Sequence, residues 1–206
     1  ISWVNPGDTL AAKTFDDYML EGPIAALEAI EKATGEPSVD IVGYCIGGTL
    51  LACTLAYIAA KGDKTLAARV KTATFLASMV DFNDPGELGV FIDEQQLANL
   101  DESMGKRGYL EGNEMAAAFN MMRGTDLIWS FVVNNYLLGK EPFPFDLLYW
   151  NSDSTRMPAA MHAFYLRKMY HENKLSEPGG IALAGVPLDL RKIEVPTYIV
   201  ATREDH

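Results

Sequence analysis

The residue best placed to do chemistry in this 206-residue sequence is Cys45. It stands in the run Val39-Asp40-Ile41-Val42-Gly43-Tyr44-Cys45-Ile46-Gly47-Gly48-Thr49-Leu50, which reads as a buried strand, an abrupt turn and the start of a helix. A thiol at a helix N-terminus has its ionised form favoured by the positive end of the helix dipole and by unpaired N–H groups. That is the setting of a nucleophile. A residue thrust out between strand and helix crowds the neighbours two positions away, so Gly43 and Gly47 are both expected to be there because they lack a Cβ. The backbone N–H of Ile46 could then supply one donor of an oxyanion hole. The plainer reading of a cysteine, a small buried apolar residue, suits Cys53 on the following helix.

A thiol nucleophile needs a base, and the base needs an acid to orient it. The G-x-C-x-G pattern matches the nucleophile elbow of α/β-hydrolases with sulfur replacing the serine oxygen, and there the acid and then the histidine follow in chain order. Asp205, just after the expected strand Val195–Ala201, fits the acid position. Asp81, after the strand that follows the elbow helix, is the alternative, with turn capping as its plain role. Glu204 reads as a solvated neighbour. The histidines fit less well. His206 abuts Asp205, and adjacent side chains seldom aim at each other. His162 and His171 precede the acid on a helix and read as ordinary, partly exposed residues. The triad base is therefore expected beyond His206. The chain, which opens at Ile1 without Met, is expected to be an internal piece of a longer protein.

The elements that must position these groups follow from periodicity and turn signals. Ile1–Val4 is expected as a short strand closed by Asn5-Pro6-Gly7-Asp8. A helix over 16–32 is interrupted at Gly22-Pro23. Strand Val39–Tyr44 leads into a helix over Ile46–Ala60 that is apolar on nearly every face and hence buried. Strand Val70–Val80 comes next, so strand and helix alternate as in a parallel sheet flanked by helices. After Asp84-Pro85-Gly86 the texture changes to helices near 87–103, 112–123, 125–138 and 158–173, rich in Met and aromatic residues, with no convincing strand. Extended segments return at Gly179–Val186 and Val195–Ala201. The expectation is an α/β-hydrolase fold, class α/β, with a mostly parallel sheet. Its core is 1–82 and 179–206, with a helical cap inserted at 83–178 and truncation at both ends. Sites in such sheets form at the carboxyl ends of strands, where Cys45 and Asp205 both fall.

Composition narrows the function classes. Seventeen basic against 28 acidic residues, a formal charge of −11, disfavour a nucleic-acid or anionic-membrane surface but leave room for a local basic pocket. Cys45 and Cys53 bracket a helical stretch rising by about 12 Å, too far for a disulfide. They form no CxxC pair for zinc, and two free thiols point to a reducing, cytoplasmic setting. No signal peptide, internal repeat or apolar run of about 18 residues is visible.

Other segments carry a more specific likeness. Taken with Asn134-Asn135-Tyr136-Leu137, Pro144-Phe145-Asp146-Leu147-Leu148-Tyr149-Trp150-Asn151 and Val195-Pro196-Thr197-Tyr198-Ile199 before Arg203-Glu204-Asp205-His206, the elbow closely resembles polyhydroxyalkanoate synthases, above all the class I, short-chain type. The resemblance implies that Cys45 is the acylated nucleophile and Asp205 the acid, that Trp150 lies near the active site, and that the base belongs to a later Gly-His segment. It implies acyl transfer from (R)-3-hydroxyacyl-CoA, with 3-hydroxybutyryl-CoA the expected substrate, to a growing polyester with release of CoA. No cofactor is implied beyond that thioester substrate. A homodimer at the surface of cytoplasmic polymer granules is implied as well. The cap would exclude water from the acyl-enzyme. Two rivals stay open: a cysteine α/β-hydrolase or thioesterase that passes its acyl group to water, and a catalytically silent synthase-like granule protein.

Overall fold

The computed structural model describes residues 1–142, 144, 146, 147, 153 and 155–203. Its first helix begins where local chemistry dictates. The Thr14 hydroxyl accepts the Asp17 N–H, and the Asp17 carboxylate accepts the Thr14 N–H at 2.8 Å, a reciprocal cap. The helix runs through Phe15–Met19 (α1), widens to a π-helical turn at Leu20–Ile24 around Pro23, and resumes as Ala25–Thr34 (α2). The wide turn absorbs the missing proline N–H, so the interruption at Gly22-Pro23 is a change of pitch.

Val39–Tyr44 (β1), Ile46–Lys61 (α3), Lys64–Ala68 (α4) and Val70–Leu76 (β2) follow. The one-turn α4, capped by the Asp63 carboxylate on the Leu66 N–H, is too short for its periodicity to register in the sequence. Beyond them lie Glu94–Arg107 (α5), Tyr109–Leu110 (β3), Gly112–Met122 (α6) and π-helical turns at Thr125–Trp129 and Val132–Leu137. Met157–Pro158 (β4) precedes Ala159–Phe164 (α7), which continues as a π-helix over Tyr165–His171. The chain returns through a hairpin of Ala182–Leu183 (β5) and Val186–Pro187 (β6) to Thr197–Val200 (β7). Strands β1, β2 and β7 form a sheet in that order, both pairings parallel, so the three carboxyl ends share one edge.

Several expectations need correcting. Ile1–Val4 is not a strand; Trp3 instead packs on Tyr18 at 4.8 Å and covers Gly22, where a Cβ would come within 2.2 Å of the indole. Strand β2 ends at Leu76, short of Val80, because Ala77 turns to φ 45°. The 83–178 region does contain strands: β3 and β4 pair antiparallel, two residues each, below the length at which alternation can be read. Strand β1 is not buried throughout; Val42 and Tyr44 are exposed, since among the described residues β1 is an edge strand.

One apolar cluster joins these layers. Phe15, Met19 and Leu27, the whole of Leu50 to Ile58 except Thr54, and Val70, Ala73 and Phe75 pack with Met161, Tyr165 and Met169 from α7 and its continuation. Asn173 locks that helix to the loop after β2. Held at φ 49°, it accepts the Phe82 N–H at 2.8 Å and donates to Asp81 Oδ1 at 2.8 Å. Asn173→Asp keeps the acceptor but loses the donor and sets a second carboxylate against Asp81. It should lower the unfolding free energy in urea by about 1–3 kcal/mol at pH 7, and the deficit should shrink as the pH falls through the carboxylate range.

Candidate active site

Cys45 sits at the junction of β1 and α3 with φ 52° and ψ −128°, a conformation costing an L-residue about 1–3 kcal/mol. Three backbone bonds hold it there. Its N–H extends the parallel ladder by donating to the Leu76 carbonyl at 3.0 Å, and its own carbonyl accepts from Gly48 N at 2.9 Å and Thr49 N at 3.3 Å. Its side chain makes no capping bond, and the thiol is exposed at the positive end of a 16-residue helix. Ile46 is the first residue of α3, so its N–H is among those a helix leaves free of internal partners.

The elbow glycines divide differently from the G-x-C-x-G reading. A Cβ on Gly43 would lie 2.5 Å from Gly48 Cα, so that glycine is required as expected. A Cβ on Gly47 would meet nothing within 4 Å, and the expectation that Gly47 is sterically essential fails. Its neighbour is the tight one: a Cβ on Gly48 would fall 1.8 Å from Ser78 Oγ. The Ser78 hydroxyl donates to the Leu76 carbonyl at 3.0 Å, the same oxygen that receives the Cys45 N–H. In sequence the Gly47-Gly48 pair conceals which of the two the strand approaches, and nothing marks Ser78.

Of the other sequence-nominated residues, Asp205, His206, Glu204 and Trp150 lie outside the described residues. Arg203, the last described, follows β7 at the edge of the sheet where Cys45 also emerges. Asp81 accepts from Asn83 N at 3.1 Å and from Asn173, so its carboxylate is occupied in the turn. Both remaining histidines are committed elsewhere. His171 Nε2 meets Glu94 Oε1 at 3.0 Å. His162, expected to be partly exposed, is buried because α7 turns it into the core, and its Nδ1 has no partner. Burial pushes its pKa down to about 4, against a smaller upward pull from Asp101. Cys53 is fully buried and its thiol is pushed up to about 12 by desolvation.

Two tyrosines that the sequence did not single out for chemistry meet on the π-helical continuation of α7. The phenols of Tyr165 and Tyr170 both lie near enough for a negative charge on Cys45 to raise their pKa values, after the larger effect of burial. Their rings meet edge to face at 5.2 Å. Residues five apart fall about 140° from each other on an α-helix at 100° per residue, which is why periodicity missed the pair. The π-helical turn, with its i→i+5 bonds, brings them to one face. A cavity of about 500 Å³ lies away from this site, between the C-terminal half of α3 and residues 191–195.

The family model for the alpha/beta hydrolase fold matches residues 3–206. The chain belongs to the α/β-hydrolase fold family. Within it the chain is similar to the poly(3-hydroxyalkanoate) polymerase of Methylorubrum extorquens, 56% identical over 206 residues. The polymerase subunit PhaC of Rhizobium meliloti (strain 1021) is 54% identical over 206 residues, and that of Cupriavidus necator 40% over 211. In all three cases the whole of this chain is covered. It spans 33% of the first two relatives' length and 35% of the third's. No described helix is long and apolar enough to cross a membrane.

Two predictions follow from this hydrolase-fold geometry. Gly48→Ala should destabilise the fold by at least about 2 kcal/mol through overpacking; Gly47→Ala should be neutral or stabilising by up to about 1 kcal/mol. Adding Ser78→Gly to Gly48→Ala should recover part of the loss in chemical denaturation. For His162, the folded pKa lies below the unfolded value of 6.5, so the unfolded chain binds the proton first as the pH falls. Stability should therefore decline by about 3 kcal/mol between pH 6.5 and 4. His162→Gln should flatten that slope in pH-dependent unfolding.

Proposed function

We propose that this chain carries the nucleophile of a polyhydroxyalkanoate synthase acting on (R)-3-hydroxyacyl-CoA, with 3-hydroxybutyryl-CoA as the expected substrate. The observation that carries the reading is Cys45 itself: an exposed thiol held in a strained backbone conformation at a helix N-terminus, in a chain similar along its whole length to named polymerases. Strain of this kind persists only where surrounding structure enforces it, and such sites cluster at chemistry.

In this reading the Cys45 thiolate attacks the thioester carbonyl, with the Ile46 N–H as one donor to the oxyanion. The carbon–sulfur bond to CoA then breaks, and CoA leaves as the thiol after taking a proton. The hydroxyl of another hydroxyacyl unit next attacks the Cys45 thioester and gives its proton to a base. The polyester lengthens by one unit and the thiolate is freed. Thiol–thioester exchange is nearly balanced, so sulfur keeps the acyl group activated between transfers. Asp205 is the proposed acid and Trp150 a proposed substrate neighbour. The base would be supplied by a residue outside this chain. The 83–178 region serves as a cap that keeps water from the acyl-enzyme, over a core of 1–82 and 179–206. The CoA thioester enters as substrate, with no separate cofactor in the scheme. A cytoplasmic homodimer at the polymer granule completes the proposal.

The test uses the full-length protein that contains this chain. Given 3-hydroxybutyryl-CoA, it should release free CoA and water-insoluble polyester together; free CoA with only soluble hydroxy acid would identify a thioesterase instead. Cys45→Ala should abolish both products. Retention of CoA release by that variant would overturn every covalent reading.

A further inference from the structure

We propose that the turn Ala77-Ser78-Met79 is a brace for the reacting thiol, with Ser78 and Thr49 as positioning residues that fix the Cys45 apex through the backbone. The proposal rests on the reading of Cys45 as the nucleophile. It gives a role in the reaction to two hydroxyls bonded to the backbone behind the apex.

The brace begins with a second strained residue. Cys45 follows β1 with φ 52°, and Ala77 follows the neighbouring β2 with φ 45°. A left-handed conformation is unfavourable for a residue with a Cβ and persists only where surrounding bonds enforce it. The Ala77 N–H donates to the Val200 carbonyl at 2.9 Å, which anchors the turn to β7. From there the chain leaves the strand and meets both halves of the elbow. On the sheet side, the Ser78 hydroxyl donates to the Leu76 carbonyl at 3.0 Å and lies 3.4 Å from the Gly43 carbonyl oxygen, so it stands between the ends of β1 and β2. The Leu76 oxygen is the one that holds the Cys45 N–H. On the helix side, the Thr49 hydroxyl donates to the Met79 carbonyl at 2.7 Å, and the Thr49 N–H donates to the Cys45 carbonyl at 3.3 Å. Both backbone groups of Cys45 are therefore tied, through one intermediate residue each, to this turn.

Attack on a thioester needs the sulfur and the Ile46 N–H to face the same carbonyl at once. Both are set by the backbone at the apex, so a small rotation of the first turn of α3 against β1 spoils the pair together. A strained apex relaxes when the bonds that hold it are lost. The brace opposes that in two ways. Thr49 is buried, so its hydroxyl has no water to exchange for the Met79 carbonyl. Ser78 Oγ fills the space beside Gly48, 1.8 Å from where a Cβ would stand, and keeps the start of the helix from sliding toward the turn.

Steady-state CoA release from 3-hydroxybutyryl-CoA by the full-length protein reads this role. Thr49→Val, which keeps the shape and loses the hydroxyl, and Ser78→Ala should each lower kcat by about tenfold with KM unchanged. Thr49→Ser restores the hydroxyl and should recover most of the rate. Asn173→Asp is the control, because it loosens the same loop further on, at Phe82, without touching the brace; it should keep the parent's kcat at a temperature where every variant is folded. Parent-like kcat in Thr49→Val and Ser78→Ala overturns the proposal. So does an equal loss in Thr49→Ser and Thr49→Val, or in Asn173→Asp, since packing or any loosening of the loop would then suffice. A raised KM with kcat kept makes Ser78 a substrate contact and overturns it as well. Should Thr49→Val fail to fold, Ser78→Ala decides alone. Cys45→Ala tests the underlying reading separately: CoA release by that variant removes the nucleophile, whereas an inactive Cys45→Ala beside parent-like Thr49→Val and Ser78→Ala sinks only the brace.

Discussion

The contact on which the rest depends is the approach of two backbones, β1 at Gly43 and α3 at Gly48, close enough that a methyl group on Gly43 would collide with Gly48. A strand can turn straight into a helix with a side chain at the apex only if the two segments nearly touch just below it. That close approach forces Cys45 into its positive-φ conformation, and the strain must be met by bonds from outside the turn. The Leu76 carbonyl meets it, which requires β2 to lie in the register that sets Tyr44 opposite Leu76. The position of β2 is supported in turn by β7, whose Val200 carbonyl takes the Ala77 N–H at 2.9 Å. Three parallel strands thus stand behind one exposed sulfur.

The helical region is tied to the same point from above. Its final helix contributes Met161, Tyr165 and Met169 to the core that buries α3, so this region and the sheet share one apolar cluster. The change of pitch from α7 to the π-helical turn decides which side chains share a face. It places two tyrosines on one face, and Asn173 at its end fixes the loop that carries Phe82 beneath them. A regular α-helix of the same sequence would set the two rings about 140° apart.

How far this was legible in the residues depends on the range of the force involved. Strand β1, helix α3 and the apex at Cys45 are local: an apolar run, a turn and a second apolar run state them directly. The elbow's second steric partner was misread because Gly47 and Gly48 are adjacent, and only the course of the chain past Ser78 decides between them. The strand expected at Ile1–Val4 had the right composition, but Trp3 found an aromatic partner in Tyr18 and a bare glycine to cover. His162 read as an ordinary partly exposed histidine because its burial depends on α5 and α7 packing, which no window of the sequence contains. The pairing of Tyr165 with Tyr170 was invisible for a different reason. Period analysis assumes α-helical pitch, and here the pitch changes.

The two cysteines show why residue type alone carries so little of the argument. They lie on one helical segment, share a side chain and differ in every physical respect that governs reactivity. Cys53 is enclosed by the core, where charge on sulfur is unsupported and its thiol is pushed up to about 12. Cys45 stands outside at the helix N-terminus with backbone dipoles behind it. Any reagent reaching Cys53 would have to displace close-packed side chains, whereas Cys45 is exposed. Burial thus removes one thiol from the chemistry, and the helix that buries it presents the other.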